Sequence, residues 1–504
     1  MNGLVKKDET CKCGIIDWFM TKQSLKEKTI SGMLWSAFQR FGTMSISFTS
    51  NLVLARLLLP EDFGCIGMLM VFIAISNTFI DGGFASAIIQ KQGVTQVDIS
   101  TVFYWNLFLA VLLFGGLYII APFIANFYKI SLLQEVLRVQ GFVLITNAFC
   151  VIQNALLIKK LQFKILAKVN LLATLIGAVV GIIFAYMNYG VWSLVIKMLV
   201  ISCMTSILLW FCGKWRPSLC FGWSSFKSLF NYGGLILSAN LVETLYTHIQ
   251  ALLIGRYFSS RDLGFYTQAK QLEEIPTSSL SQIVNQVTFP VFSQLQGDVD
   301  KLKMGVKKNV KMITFLTFPL MSLLIVIARP LIVFLYSSKW EESVPYFQLL
   351  CIFGMVYTLN TVNTNVYKSI GKSKLFFFVQ AGKRVLSILF IVAGMQFGIM
   401  QMMWAVALSG YLHFLINGII SGRVIQYGFW EQVKDILSSY LLAIGVGVIT
   451  YWGGLFLELD NILLLLIQVL IYGIVYFGIA YLLKFESAIS FYNIIRTNLL
   501  QVNR

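Results

Sequence analysis

Residues 100–126 read STVFYWNLFLAVLLFGGLYIIAPFIAN, an apolar run without a charged side chain. At about 1.5 Å of rise per residue, a helix of that length reaches about 40 Å, enough to cross a hydrocarbon core of about 30 Å. Runs of this kind recur along the chain. They lie near 30–55, 64–90, 100–126, 135–158, 166–187, 190–212, 229–255, 265–293, 309–336, 343–367, 375–396, 399–422, 435–457 and 461–483, which predicts an all-α polytopic membrane protein of about 14 transmembrane helices. The run at 265–293 is the one most interrupted, by Lys270, Glu273, Glu274 and Pro276. A polar helix at membrane depth must face protein or water.

The 504 residues are 58% hydrophobic and 12% charged, with a mean hydropathy of +0.77; a soluble domain carries about 25% charged residues. That excludes an ordinary globular enzyme. The net charge of +17 does not gather into the one-sided basic footprint of a nucleic-acid binder, so no nucleic-acid partner is expected. It alternates from loop to loop instead. Counted from an inside N-terminus, the inner loops hold Lys91; Lys159, Lys160, Lys164 and Lys168; Lys214, Arg216 and Lys227; Lys301, Lys303, Lys307, Lys308 and Lys311; and Lys368, Lys372 and Lys374. The outer turns hold less, and acids accompany it: Arg56 with Glu61 and Asp62, Lys129, Arg256 and Arg261 with Asp262, Lys339 with Glu341 and Glu342, and Glu458 with Asp460. This positive-inside pattern predicts an even number of spans with both termini cytoplasmic.

Several classes of chemistry find no support. No loop exceeds about 20 residues, too few for an extramembrane catalytic domain of about 50 or more. There is no phosphate-cradling G-x-x-x-x-G-K-[ST] loop and no evident nucleophile–base grouping, so neither an enzyme nor an ATP-driven pump is expected. Eight cysteines, at 11, 13, 65, 150, 203, 212, 220 and 351, form no C-x-x-C pair, and the two histidines, His248 and His413, lie far from the Cys11–Cys13 pair. No disulfide framework, metal or cofactor is expected. The polar start (Lys6, Lys7, Asp8, Glu9, Lys12) has no short apolar core with a small-residue cleavage site, so no removable signal peptide is expected.

Compared with itself at an offset of 200, the chain repeats. LVLARLLLPEDFG at 52–64 aligns with LLIGRYFSSRDLG at 252–264, both closing an outward-going span and opening the next. An even number of spans between the copies makes the repeat parallel. It predicts two six-helix lobes, 30–212 and 229–422, then a helix pair at 435–483, with cytoplasmic segments at 1–29 and 484–504. A cavity between such lobes is where cargo would bind.

Charges at mid-depth are costly, at least about 2.5–3.5 kcal/mol on insertion scales, and so mark functional candidates. Arg40 lies about ten residues into the first span, and Lys383 and Arg384 stand at similar depth in the eleventh. Such cations suit an anionic cargo such as a diphosphate; the plain alternative is that they snorkel or pair with carboxylates. Lys270, a further cation, stands four residues before Glu274, a spacing that permits self-neutralisation. Buried carboxylates are the natural groups for proton or sodium coupling, and Asp81, Glu243, Glu273 and Glu274 qualify by depth. Asp81 precedes Gly82 and Gly83, where it could instead satisfy backbone donors as the helix loosens.

Several segments resemble a known family. FIDGGFASAIIQK at 79–91 with DISTVFYW at 98–105, and DLGFYTQAK at 262–270 with FPVFSQLQ at 289–296, are similar to the two halves of the polysaccharide transporter family, the Wzx-like oligosaccharide flippases of the multidrug/oligosaccharidyl-lipid/polysaccharide exporter superfamily. The resemblance runs from about residue 24 to 420. It implies a bundle of 12 to 14 helices in a bacterial inner membrane. It also implies a cargo of undecaprenyl-diphosphate-linked oligosaccharide, flipped from the cytoplasmic to the periplasmic leaflet during assembly of lipopolysaccharide, capsule or exopolysaccharide, with a polysaccharide polymerase and a chain-length regulator as candidate partners. The cationic residues come from depth and charge, not from the resemblance. A cation-coupled drug exporter, a peptidoglycan-precursor flippase and a membrane polysaccharide polymerase or glycosyltransferase remain as rivals.

Overall fold

The two copies of the repeat each start a helix by similar local chemistry. Pro60 heads α2 (Pro60–Asp81), and the Asp62 carboxylate accepts the Leu59 N–H at 3.0 Å. At α10 (Ser260–Leu295) the Ser259 hydroxyl accepts the Asp262 N–H at 3.0 Å while the Asp262 carboxylate accepts the Ser259 N–H at 3.2 Å, a capping box. The structure is a computed structural model that describes residues 25–456, 459–489 and 492. Cys11 and Cys13, the polar stretch preceding residue 25, Glu458 and most of the tail beyond 489 lie outside the described residues.

Among these the chain is helical, without a strand. The first helix, α1, spans Leu25–Leu57. The second expected span is split: Gly82 and Gly83, at φ +53° and +69°, end α2 and start α3 (Phe84–Gln90), a left-handed conformation that glycine adopts without penalty. Next come α4 (Gln96–Tyr128), α5 (Leu132–Gln140) and α6 (Phe142–Lys159), α7 (Phe163–Tyr186) and α8 (Val191–Cys212). Helix α9 covers Trp223–Tyr257. After α10 follow α11 (Val299–Val326), α12 (Ala328–Tyr336), a 3-10 turn at Ser338–Ser343 and α13 (Val344–Ser369). The last are α14 (Ser373–Met395), α15 (Ile399–Ile425), α16 (Phe429–Leu455) and α17 (Asn461–Leu482).

Among the described residues, ten helical stretches are long and apolar enough to cross a membrane: α2 with α3, α4, α5 with α6, α7, α8, α11, α14, α15, α16 and α17. The protein is therefore a multi-pass membrane protein. Four more helices at expected spans, α1, α9, α10 and α13, are long enough but more polar. They carry Arg40, Glu243, the Lys270–Glu273–Glu274 group and the run TLNTVNTN at 358–365. Helix α10 runs unbroken through its charges and through Pro276 and Pro290.

The two repeat segments meet reciprocally. A Cβ on Gly64 would fall 1.7 Å from the Ser260 carbonyl oxygen, and one on Gly264 would fall 2.0 Å from that of Pro60, so α2 and α10 cross backbone to backbone about a local two-fold axis. The arginines exchange as well. The Arg56 Nε donates to the Leu335 carbonyl at 2.9 Å and its Nη2 to that of Phe334, at the end of α12; the Arg256 Nη1 donates to the Phe127 carbonyl at 2.5 Å, near the end of α4. Each arginine closes one helix onto the last carbonyls of another, where a cation also meets the helix dipole. Trp340, fully buried between Phe63 and Phe265, donates its indole N–H to the Ala55 carbonyl at 2.7 Å and completes the joint.

Candidate functional site

On α1, Ser36, Arg40, Thr43, Ser47 and Asn51 recur at helical spacing and share a face. Asn51 shows where that face looks: its Nδ2 donates to the Gln268 Oε1 at 2.7 Å and to the Gln271 Oε1 at 3.1 Å, both on α10. The other side of α1 is taken by α7, which packs along it. Arg40 stands exposed in the middle of the polar stripe, and among the described residues no carboxylate reaches its guanidinium.

The remaining candidates lie on α9, α10 and α14. The Arg384 Nη2 donates to the Glu243 Oε2 across the space between α14 and α9, and its guanidinium lies 5.5 Å from the centre of the Tyr246 ring. Lys383 is 6% exposed, no carboxylate pairs with it among the described residues, and the cation Arg384 is its chain neighbour. Its carbonyl and the Ser387 hydroxyl both meet the His413 Nε2, at 3.0 and 2.9 Å, which ties this turn of α14 to α15.

The three candidate residues of α10 part company. The Lys270 Nζ stands 3.9 Å from the Glu274 Oε1, at the expected four-residue spacing, and 3.5 Å from the Thr247 carbonyl of α9. Glu274 is otherwise exposed. Glu273, one residue before it, turns into the protein: it is 4% exposed, accepts the Thr277 hydroxyl, and has no cation within 4 Å among the described residues. Opposite it stands Gly354 of α13, where a Cβ would lie 2.6 Å from the Glu273 Oε1 and 3.1 Å from the Met321 sulfur. Asp81 is half-buried at the end of α2. The backbone donor beside it, the Gly82 N–H, goes to the Thr78 carbonyl, and the carboxylate accepts no hydrogen bond among the described residues.

The structure thus joins Arg384 to Glu243 and Lys270 to Glu274, and sets Lys383 beside Arg384. No hydrogen bond or ion pair links Arg40 to any of them among the described residues. Counted at about 1.5 Å per residue from the ends where α1 and α9 turn back, Lys270 lies about 15 Å deep, Arg384 about 17 Å, Glu243 about 21 Å and Arg40 about 25 Å. The charges share a band of depth on different helices.

Two polar features were not read from the sequence. Asn77 of α2 pairs with Asn147 of α6 at 3.0 Å, and Asn285 of α10 with Asn365 of α13 at 2.9 Å. A network of Asn360, Asn363, Asn417, Ser421 and Gln432 knits α13, α15 and α16 together. The signal was the Asn/Thr run at 358–365, whose polarity in an apolar context asks for buried partners. A cavity of about 590 Å³ between α11, α13, α15 and α16, with Trp404, Tyr411, Tyr440 and Trp452 in its wall, holds none of the candidate charges.

The sequence profile of the polysaccharide biosynthesis protein family matches residues 53–345, more than half of the chain. The chain belongs to that family. Similar family names recur among its relatives. The teichuronic acid biosynthesis protein TuaB of Bacillus subtilis (strain 168) is 26% identical over 85% of this chain and 89% of its own length. The lipopolysaccharide biosynthesis protein WzxC of Escherichia coli (strain K12) is 25% identical over 82% of this chain and 83% of its own length. Among solved structures, the lipid II flippase MurJ in an inward closed conformation superposes with a TM-score of 0.73 at 16% identity, over 90% of this chain and 98% of that one. At that identity the likeness speaks for the fold alone.

Proposed function

We propose that this protein is a flippase that moves undecaprenyl-diphosphate-linked oligosaccharide from the cytoplasmic to the periplasmic leaflet of a bacterial inner membrane, by alternating access. The observation that carries the reading is Lys383: a buried ammonium at membrane depth, beside a second cation and without a carboxylate of its own. A protein that only needed to fold would gain by replacing it with an apolar residue. A diphosphate would supply the missing counter-charge. Arg40, exposed on the stripe that looks toward α10, supports the same role from the other side, and Lys270 completes the set.

In this reading the fourteen spans are the ten apolar ones with α1, α9, α10 and α13. The lobes are 30–212 and 229–422, the helix pair is 435–483, and 1–29 and 484–504 are cytoplasmic. The four polar helices then border the space between the lobes, where water or cargo satisfies them. Glu273 is the first choice for the coupling group, because a buried carboxyl with no cation within 4 Å among the described residues is costly to keep charged, and a proton or a bound ion relieves that cost. Asp81, Glu243 and Glu274 follow it. Relatives named for teichuronic acid and lipopolysaccharide biosynthesis support a glycan as the cargo.

The test is a strain that depends on this chain for surface glycan, carrying Arg40→Gln, Lys383→Gln and Arg384→Gln together. Display should vanish while folded protein stays in the membrane. Normal display in that variant overturns the cationic site. Chain-length analysis of glycan in a deletion strain separates export from polymerisation, and a drug-susceptibility panel tests the exporter alternative.

A further inference from the structure

We infer that the cleft between α9 and α14 is a side entrance for the anionic head of a membrane lipid, and that the Arg384–Glu243 ion pair is the bolt across it. The inference rests on the flippase reading and adds a route and a trigger.

By position in the repeat, α9 is the counterpart of α1, and α14 that of α7. Helices α1 and α7 close on each other tightly: a Cβ on Gly32 would fall 2.7 Å from the Phe163 ring, and one on Gly42 would fall 2.5 Å from the Leu171 side chain. Helix α9 does not repeat this arrangement. Its backbone lies on α2, α3 and α4, with Gly233 against the Gly82–Gly83 break, and no comparable backbone packing joins it to α14. Where the two helices face each other the space is open, since the Arg384 and Glu243 side chains stay 28% and 58% exposed although they touch.

The walls of the cleft suit a lipid. Val242, next to Glu243 on α9, and Val385, next to Arg384 on α14, are exposed apolar side chains beside the ion pair. Among the described residues one polar side chain spans the gap, that of Arg384, donating to Glu243 and lying over Tyr246. The buried Lys383 is its chain neighbour.

Those neighbours make the bolt sensitive to charge. Glu243 offers Arg384 two oxygens and one negative charge, whereas a diphosphate offers more of both, in a geometry the planar guanidinium can grip with two parallel hydrogen bonds. A lipid whose head arrives between α9 and α14 therefore competes with Glu243 for Arg384. Once it wins, the ion pair that ties α9 to α14 is gone, and the cleft can widen around the cargo. A neutral lipid has nothing to exchange and leaves the bolt shut.

The experiment uses the full chain in nanodiscs, with undecaprenyl diphosphate as the probe and undecaprenol and inorganic diphosphate as controls. Binding is read by native mass spectrometry, and opening by the rate of maleimide labelling at Tyr246→Cys, beneath the Arg384 guanidinium, in an otherwise cysteine-free chain. Glu243→Gln removes the competitor and should tighten binding of undecaprenyl diphosphate about fivefold, equivalent to about 1 kcal/mol; Arg384→Gln should weaken it, and Glu243→Asp should behave as the parent. Undecaprenyl diphosphate should speed labelling, while undecaprenol should not. A merely structural ion pair predicts instead that Glu243→Gln and Arg384→Gln change binding in the same direction. If the parent binds undecaprenyl diphosphate and Glu243→Gln binds it no more tightly, the bolt is wrong and the flippase reading stands. If the parent does not bind it at all, both fall. If inorganic diphosphate speeds labelling equally, the cleft answers to a free anion and the side entrance for a lipid is overturned.

Discussion

Lys383 and Glu273 pose the same problem with opposite signs: each is an ionisable group almost withdrawn from solvent, with no oppositely charged side chain within ion-pair distance among the described residues. Lys383→Met should therefore raise the thermal midpoint of the purified protein, by about 1 kcal/mol of stability, while glycan export fails. A lower midpoint would show that the ammonium has a structural partner. Glu273→Gln keeps the shape and the hydrogen-bonding reach of the side chain, so the protein should fold as before but transport without response to an imposed pH gradient; a surviving response removes Glu273 from coupling. At this scale the sequence was readable where spacing decides the outcome, as in the Lys270–Glu274 pair four residues apart. It was unreadable where direction decides it. Glu273 and Glu274 are adjacent letters of one type, and a turn of about 100° about the helix axis sends one into the core and the other into the open.

Individual elements were legible by their apolar runs, less so by their joints. The polar run at 265–293 looked like the weakest helix because its charges and prolines are measured against lipid; protein surrounds much of it instead, through α2 and α13, and it is a continuous helix. The breaks at Gly82–Gly83, at Gly141 and at Ile327 interrupt expected spans that hydropathy reads as single runs. The glycines in the repeat segments mattered most. Gly64→Ala and Gly264→Ala each push a Cβ into a carbonyl of the facing helix. Each should cost about 1–3 kcal/mol of stability, read as a lower thermal midpoint, or prevent folding, and the two should behave alike because the contact is reciprocal. A harmless alanine at either site would mean that α2 and α10 do not cross there.

For the molecule as a whole, the alternation of loop charge predicts orientation more firmly than any single helix does. A cysteine at Asn188 should react with a membrane-impermeant maleimide added to intact cells after outer-membrane permeabilisation, and one at Ser218 should not. The opposite result would invert the topology and with it the assigned direction of transport. In the proposed fourteen-span reading, the four polar helices account for the ten spans that composition alone returns among the described residues. Hydropathy scores a helix as though lipid surrounded it on all sides, whereas α1, α9, α10 and α13 each spend polar surface on neighbouring helices or on the space between them.

The crossing at Gly64 and Gly264 has a mechanical consequence. It lies within a turn or two of one end of α2 and α10, so the two helices form levers with a short arm and a long one. From Gly264 to Leu295 the long arm measures about 46 Å at 1.5 Å per residue, and a rotation of about 10° about the crossing would displace its far end by about 8 Å, not far short of the width of a helix. The same rotation would move the short end by about an ångström. Small repacking at the tight joint of Arg56, Trp340 and the two glycines would thus be geared up into a wide change of aperture at the opposite face, with little distortion of the contact that acts as the fulcrum.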